Sequence, residues 1–178
     1  MRVTISGPIG SGKSTVGKII SRKLSINFFS GGNIFREEAS RMNMSVEEYN
    51  IYSETHPDID LKLDEMQLNY LRDHDNMVFE SRLAGWICWK HSINSFKLFL
   101  DASEDVRYQR VSNREANRNV ENLLSLIRSR EESERKRYLA LYNMDYTDHT
   151  FYDLYIGTDN MVPDEVAEIA IRHLRKIQ

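Results

Sequence analysis

The residues best suited to do chemistry lie near the start of the chain, in GPIGSGKST at residues 7–15. This stretch fits the pattern G-x-x-x-x-G-K followed by Ser or Thr at every specified position. Glycines let successive backbone N–H groups turn inward around an anion, and a helix beginning near Gly12 directs its positive dipole end at the same point. In such a loop Lys13 reaches the outer phosphates of a nucleoside triphosphate and Ser14 offers a hydroxyl to Mg²⁺. We therefore expect the triphosphate to be bound by Gly7, Pro8, Ile9, Gly10, Ser11, Gly12, Lys13, Ser14 and Thr15.

Short apolar runs alternate with helical patterns along the chain and would hold this loop in place. The candidate strands are residues 2–6, 27–30, 77–80, 97–101 and 153–156. Apolar residues spaced three and four apart predict helices, including a long one through Val120, Leu123 and Ile127 and a last one beginning at Pro163. The alternation predicts a parallel sheet with helices on both faces, in which ligands collect at the carboxyl ends of the strands.

Composition limits the classes to which the loop can belong. The chain has 178 residues, 40% of them hydrophobic and 29% charged, which fits one domain and is too polar for a membrane span. The lone Cys88 excludes an internal disulfide and a multi-cysteine metal site. The start, Met1 to Ile5, is too short for a signal peptide, so we expect a cytoplasmic protein without a membrane partner.

Charge is distributed unevenly although the net charge is only −3. Residues 36–75 hold eleven acidic against four basic residues, whereas residues 107–137 hold nine basic against five acidic residues. The basic segment indicates an anionic partner or a solvated helix face rich in ion pairs. Since the chain shows no basic tail and no basic–aromatic pattern, no nucleic-acid partner is expected.

The guanine-reading Asn/Thr-Lys-x-Asp of switch GTPases is missing, and four further stretches narrow the expected reaction. Residues 30–36, SGGNIFR, resemble the turn that opens the monophosphate-binding segment of nucleoside monophosphate kinases. Residues 80–82, ESR, resemble the E/D-G-R stretch of cytidylate kinases. The spacing Arg130-Glu131-x-x-Glu134-x-x-Arg137 resembles their R-D-x-x-D-x-x-R with both acids lengthened, and residues 99–110 resemble their F-L-D-A-S stretch.

Taken together, the chain resembles a cytidylate kinase of the short archaeal type over nearly its whole length. The resemblance implies an α/β fold of the P-loop NTPase kind, in three layers α/β/α around a five-stranded parallel sheet. It implies one domain, residues 1–178, with a core of residues 1–30, 75–111 and 120–178. A small helical insert at about 31–74 would bind the monophosphate, and polar residues with two arginines predict a short lid at about 112–119.

The resemblance also implies roles for individual residues. The implied activity is transfer of the γ-phosphate of ATP to CMP or dCMP, with Mg²⁺ as cofactor. The catalytic group is expected to comprise Lys13, Arg130 and Arg137. The monophosphate is expected to contact Ser30, Gly32, Arg36, Arg82 and Glu134. Arg114 and Arg118 of the lid are expected on ATP, and Mg²⁺ is expected near Ser14 and, through water, Glu80.

Some points stay open at the level of the sequence. Ser81 stands where the family has glycine, and Leu83 stands where bacterial relatives have a base-reading acid, so that contact is not carried over. An adenylate kinase or another small-metabolite kinase would share Lys13, Ser14 and the arginines. An adenylate-kinase-like ATPase acting in RNA processing or ribosome assembly is a third possibility. The sequence does not decide between CMP, dCMP and UMP; a monomer is expected.

Overall fold

The protein is described by a computed structural model that covers residues 1–114 and 120–177. Its strands are β1 (Arg2–Ser6), β2 (Asn27–Ser30), β3 (Met77–Glu80), β4 (Phe96–Asp101) and β5 (Leu154–Gly157). Its helices are α1 (Lys13–Leu24), α2 (Gly31–Arg41), α3 (Val46–Ser53), α4 (Pro57–Asp73), α5 (Ala84–Lys90), α6 (Glu104–Arg114), α7 (Val120–Tyr142) and α8 (Pro163–Ile177). Every candidate strand is found, each within one residue of its expected bounds.

Within the described residues the strands form one parallel sheet in the order β2-β3-β1-β4-β5. β1 lies at the centre, where Val3 is opposite Val78 of β3 and Phe96 of β4. The chain leaves β1 first toward one edge of the sheet and later toward the other. In parallel sheets of this kind, a crevice opens at the carboxyl ends of the strands where the strand order reverses.

Alternating side chains divide the core between the two faces of the sheet. Val78 packs with α1 and α8 on one face, whereas Met77 and Phe79 pack on the other with α5 and with residues of α4 and α7. Both faces are therefore covered by helices, which confirms the three-layer α/β/α prediction. Among the described residues, no helix is both long and apolar enough to cross a membrane.

Three helices, α2, α3 and α4, fill the chain between β2 and β3. They share a small core of their own, in which Ala39, Tyr49 and Leu63 are buried and Phe35 packs against them. Helix α3 begins with a capping box, because Ser45 and Glu48 each accept a hydrogen bond from the other's backbone N–H. The insert thus has a core separate from the one over the sheet, although α4 also contributes Leu71 to that larger core.

Candidate active site

The loop after β1 has the backbone needed to surround an anion. Gly7, Gly10 and Gly12 take φ values of 142°, 78° and 96°. At Gly10 a side chain is also excluded by space, since its Cβ would lie 2.4 Å from the carbonyl oxygen of Arg107. Gly12 is the N-cap of α1 and makes no side-chain cap, so the first N–H groups of that helix are left for a ligand.

Lys13 lies buried at the start of α1 and donates a hydrogen bond from Nζ to the carbonyl oxygen of Pro8 at 2.7 Å. Burial, with the positive charge of Arg82 in addition, lowers the pKa of Lys13 to about 7. The protein alone therefore supplies too little negative charge to hold this ammonium at its ordinary pKa. A polyphosphate beside Nζ would restore it.

Three elements bring oxygen ligands together at Glu80, the last residue of β3. Its Oε1 accepts hydrogen bonds from the hydroxyls of Ser14, at 3.0 Å, and of Ser30. The sheet register explains the contact with Ser30, which is opposite Glu80 in the β2–β3 pair. Ser14 and Glu80 lie far apart in the sequence, and both are predicted to contribute to one magnesium site. The structure places their side chains in direct contact.

Glu134 of α7 lies between two arginines of the predicted site. Arg82 Nε is 2.6 Å from its Oε2, and Arg130 Nε is 2.9 Å from its Oε1. Burial alone would raise the pKa of Glu134, but these guanidinium groups outweigh it and hold the pKa at about 2. Arg82 also donates to the carbonyl oxygen of Gly7 at 3.1 Å, which ties the arrangement to the glycine-rich loop.

Positive charge accumulates around Arg36 on the insert. Desolvation lowers the pKa of Arg36, and the charges of Arg130 and Arg114 lower it further against the opposing effect of Glu80. Its guanidinium donates to Asn33 one turn earlier in α2. Arginines from α2, α6 and α7 that repel one another across a shared space are typical of a site for a polyanion.

Arg137 is held differently from the other arginines. Its Nη1 donates to the backbone and side-chain oxygens of Asn50, at 2.9 and 3.1 Å, and to Ser133 at 3.0 Å. Its Nε lies 2.8 Å from Oδ2 of Asp60. Arg137 therefore links α7 to α3 and α4 of the insert, and its predicted catalytic role stays a prediction.

These groups meet in one cleft of about 570 Å³ at the carboxyl ends of the strands. The cleft is lined by most of the residues predicted from the sequence, namely residues 9–15, Gly32, Arg36, Glu80, Arg82, Arg114, Arg130, Glu134 and Arg137. Gly7, Pro8 and Ser30 are buried behind the lining. Residues 112–114 of the predicted lid are the end of α6; Arg118 and residues 115–119 lie outside the described residues.

Comparison with known proteins shows the family of this chain. A family model described as the cytidylate kinase-like family matches residues 2–160. The chain belongs to that family. A protein named cytidylate kinase from Thermoplasma volcanium is 46% identical over 98% of this chain and 91% of its own length. One of the same name from Thermoplasma acidophilum is 44% identical over 94% and 88%.

A solved structure extends the comparison to the fold alone. A gluconokinase from Sinorhizobium meliloti matches with a TM-score of 0.65 at 16% identity, covering 99% of this chain and 92% of the other. The cytidylate kinase-like chain thus shares its architecture with a kinase of different name. Whatever distinguishes this chain from the gluconokinase must therefore lie in the side chains of the cleft.

Sequence reasoning missed a group of cleft residues in this cytidylate kinase-like chain. Asp60, Asp64 and Gln67 of α4, within the insert, line the cleft together with Tyr138 of α7. Their spacing of four and three residues places them on one face of α4, next to the buried Leu63 and Leu71. Polar residues that share a helix face with buried apolar residues are the sequence signal that could have identified this group.

A second missed pair supports the glycine-rich loop from behind. Arg107 Nη1 donates to the Ile9 carbonyl oxygen at 2.8 Å and to Glu131 Oε1 at 2.6 Å. The same Glu131 oxygen accepts the Ile9 N–H at 3.0 Å. Both backbone polar groups of Ile9 are therefore fixed by an ion pair between α6 and α7, which holds the tip of the loop in one conformation.

The cleft also extends toward β5, on the other side of the glycine-rich loop from the insert. There Arg110 donates to the hydroxyl of Thr158 at 2.9 Å and to its carbonyl oxygen at 2.6 Å. Thr158 and Met161 line this end. The cleft therefore offers space on both sides of the loop, as a reaction between two nucleotides requires.

Proposed function

We propose that this protein transfers the γ-phosphate of ATP to CMP, and to dCMP, giving ADP and CDP or dCDP. The observation that carries the proposal is the cleft itself, which the glycine-rich loop with Lys13 lines together with Arg36 of the helical insert and Arg82, which follows β3. A loop alone would fit any user of nucleoside triphosphates. A second set of arginines beside it supplies a place for an acceptor that also carries phosphate. Relatives named cytidylate kinase identify that acceptor.

In this proposal ATP lies with its phosphates on the loop of residues 7–15. The backbone N–H groups at the start of α1 and the ammonium of Lys13 bind the outer phosphates. The ion pair of Arg107 with Glu131 keeps the loop in its binding shape before ATP arrives. The adenosine extends toward Arg110 and Thr158 near β5, and we place Arg114 and Arg118 of the lid over it.

The residues at Ser14 and Glu80 fit a magnesium ion that arrives with ATP. Both present oxygen atoms, which Mg²⁺ prefers, and they are 3.0 Å apart at the edge of the cleft. Among the described residues no group of three or more His, Cys, Asp or Glu converges on one point. This fits an ion held by one or two protein oxygens together with phosphates and water. When bound, Mg²⁺ would offset charge on the phosphates.

The acceptor phosphate is bound by Arg36 at the start of the insert and by Arg82 after β3. Ser30 and Gly32 form the turn in front of Arg36, and we place Glu134 close to the acceptor sugar. The attacking phosphate oxygen is already anionic near neutral pH, so the reaction needs no general base. The protein's task is to align the two phosphates and to neutralise the charge that spreads over the transferred group.

Neutralisation is assigned to Lys13, Arg130 and Arg137. In phosphoryl transfer a well-placed arginine contributes about 10³–10⁵ in rate. Water competes with CMP for the phosphoryl group, so the insert at 31–74 and the lid at 112–119 should close over the substrates before transfer. The division into core, insert and lid, the monomeric state and the cytoplasmic location stay predictions.

A coupled assay of ADP release tests the proposal directly. The enzyme is given ATP with Mg²⁺ and, one at a time, CMP, dCMP, UMP, AMP or GMP, with an acceptor-free reaction as the control. Fast turnover with CMP and dCMP is expected. Turnover with AMP alone would identify an adenylate kinase instead. No turnover with any acceptor, together with salt-dependent binding to RNA, would favour an ATPase of RNA processing.

A further inference from the structure

The end of the cleft on α4, which we call the acceptor-base end, differs in chemistry from the part that contains the arginines. Asp60, Asp64 and Gln67 of α4 line it, and all three belong to the acidic part of the chain. Asp60 is matched by Arg137, whose Nε lies 2.8 Å from its Oδ2. Among the described residues, no cationic group lies within hydrogen-bond distance of Asp64 or Gln67. This end is therefore built to meet hydrogen-bond donors, not phosphates.

The orientation of the Gln67 amide is set by its neighbours. Its Nε2 donates to Asp64 Oδ1 at 3.0 Å, while Asp64 Oδ2 accepts the hydroxyl of Tyr142 at 2.6 Å. An ionised carboxylate can only accept hydrogen bonds, so it requires the N–H₂ side of Gln67 to face it. The carbonyl oxygen of Gln67 must consequently point away from Asp64.

That carbonyl oxygen is buried and has no hydrogen-bond partner among the residues that the structure describes. Gln67 is 8% exposed and lines the cleft, and its Oε1 lies against Gly31. A Cβ at Gly31 would come within 2.8 Å of this oxygen, so only glycine lets α2 begin so close to it. The Oγ of Ser81, beside the same glycine, is also buried, with no partner in the described part of the chain. Leaving a buried acceptor unpaired costs about 1–3 kcal/mol, which a donor on the ligand would recover.

We propose that Gln67 selects the base of the acceptor nucleotide, accepting at Oε1 a hydrogen bond from the exocyclic amino group of cytosine, and that Asp64 is the positioning residue that turns the amide this way. The proposal rests on the proposed CMP kinase function. Uracil carries a carbonyl oxygen where cytosine carries the amine, so it would bring two acceptors together. A site built around a hydrogen bond rejects the analogue that cannot form it, by about 10²-fold or more.

The arrangement makes a specific prediction for Asp64→Asn. The hydroxyl of Tyr142 holds the oxygen of the new amide, which leaves its N–H₂ facing Gln67. Gln67 must then turn its own oxygen toward residue 64 and present N–H₂ to the base. The variant should accept the carbonyl of uracil, so the ratio of kcat/KM for CMP to that for UMP should fall at least tenfold, with UMP gaining in absolute terms.

Two further variants separate selection from general damage. Gln67→Met keeps the length of the side chain but removes both polar groups, so it should lose activity on CMP and bring the ratio close to one. Glu65→Gln changes the charge of the exposed neighbour on α4 without touching the amide and should keep the wild-type ratio. Because the ratio compares two substrates on the same enzyme, partial loss of folded protein cancels.

The experiment measures kcat/KM for CMP and UMP with wild type and the three variants, and Kd for both nucleotides without ATP by calorimetry. Wild type that phosphorylates CMP, with Asp64→Asn and Gln67→Met both retaining the wild-type ratio, would overturn the proposal, as would wild type that uses UMP as well as CMP. Wild type that phosphorylates no monophosphate would instead refute the proposed function. If Asp64→Asn fails to fold, Gln67→Met and the Kd values decide the outcome.

Discussion

Two parts of the cleft hold a carboxylate in different environments: the part around Arg82 and Arg130, which we propose binds phosphate and call the phosphate end, and the acceptor-base end on α4, which contains Asp64 and Gln67. At the phosphate end, the guanidinium groups of Arg82 and Arg130 outweigh burial and hold the pKa of Glu134 at about 2. At the acceptor-base end, burial raises the pKa of Asp64 to about 7, and the hydrogen bond from Tyr142 opposes this only in part. One carboxylate thus serves as a fixed counter-charge, and the other is a hydrogen-bond acceptor close to its titration point.

The difference follows from what each carboxylate faces. Glu134 touches two cations directly, whereas Arg137, one of the cations that face Asp64, is already matched by Asp60. A site for phosphate needs positive charge with its geometry fixed in advance. A site for a neutral base needs donors and acceptors in the right order, which neutral groups supply with less desolvation cost than charges.

Among the tests of this comparison, Lys13→Ala at the phosphate end is expected to have the largest effect. Removing the ammonium should lower kcat at least about a thousandfold, because the charge that develops on the transferred group loses its nearest cation. Lys18→Ala, at an exposed position of the same helix, should retain nearly full activity. The coupled ADP assay measures both, with thermal unfolding to check the fold. An active Lys13→Ala enzyme would refute the assignment of this loop as the catalytic phosphate site.

The phosphate end could be predicted from the sequence because its recognition is local. A glycine-rich loop binds anions through its own backbone. The motif GPIGSGKST at residues 7–15 therefore predicts an anion site without knowledge of the fold. The strands were predicted within one residue for a similar reason, since each is a short apolar run with clear ends. Arg36, Arg82 and Glu134 followed from motifs at the strand ends and in the long helix.

The acceptor-base end could not be predicted because the arrangement of its side chains depends on contacts between elements that are distant in the sequence. Residues 36–75 contain eleven acidic residues, most of which face water, and nothing local marks Asp60 as buried or Asp64 as half-buried. The orientation of Gln67 depends on Asp64, which in turn depends on Tyr142, 78 residues further along the chain. Such a chain of hydrogen bonds becomes visible only when α4 and α7 are packed together.

A second test of the comparison is Glu134→Gln, which removes the negative charge between Arg82 and Arg130 at the phosphate end. Arg82 and Arg130 would lose their shared anion in a buried place, and breaking such a pair costs about 3–5 kcal/mol in the free energy of unfolding. Urea unfolding at pH 7 measures it. Glu132→Gln, which removes an exposed pair with Lys136 on the same helix, should leave unfolding unchanged. Equal stability of the two variants would contradict the role of Glu134.

The same variant carries a pH signature with a definite sign. The pKa of Glu134 is depressed in the folded protein, so its stabilisation is present above its ordinary pKa of about 4.3 and is lost as pH falls toward about 2. Wild type should therefore lose stability over this range more steeply than Glu134→Gln. Parallel curves would show that the arginines do not hold this carboxylate ionised.

A smaller effect is expected for Arg36→Ala, which tests whether the arginines divide between the two substrates. Removing one charged hydrogen-bond donor should raise the KM for CMP about 10- to 100-fold while the KM for ATP changes little. Arg41→Ala lies on the same helix, where it pairs with Glu38 away from the cleft lining, and should leave both constants near wild type. A rise in the KM for ATP alone would move Arg36 to the donor side.

The smallest effect concerns pH and the base. Below pH 7 Asp64 takes up a proton; since Tyr142 occupies Oδ2, that proton lies on Oδ1 and faces Gln67. The protonated carboxyl donates to the Gln67 carbonyl oxygen, which turns the N–H₂ side of Gln67 toward the base. The preference for CMP over UMP should therefore fall several-fold between pH 8 and pH 6.

Among the described residues, the charged groups that face Asp64 are Asp60 on its own helix, Arg137 on α7 and Lys90 on α5. The substrate phosphate does titrate near pH 6, but it is common to CMP and UMP and cancels in their ratio. Asp64→Asn cannot take up the proton, so its ratio should not vary with pH. A ratio in wild type that is equally flat would show that Gln67 keeps one orientation, and that the selecting amide is fixed by packing and not by the charge of Asp64.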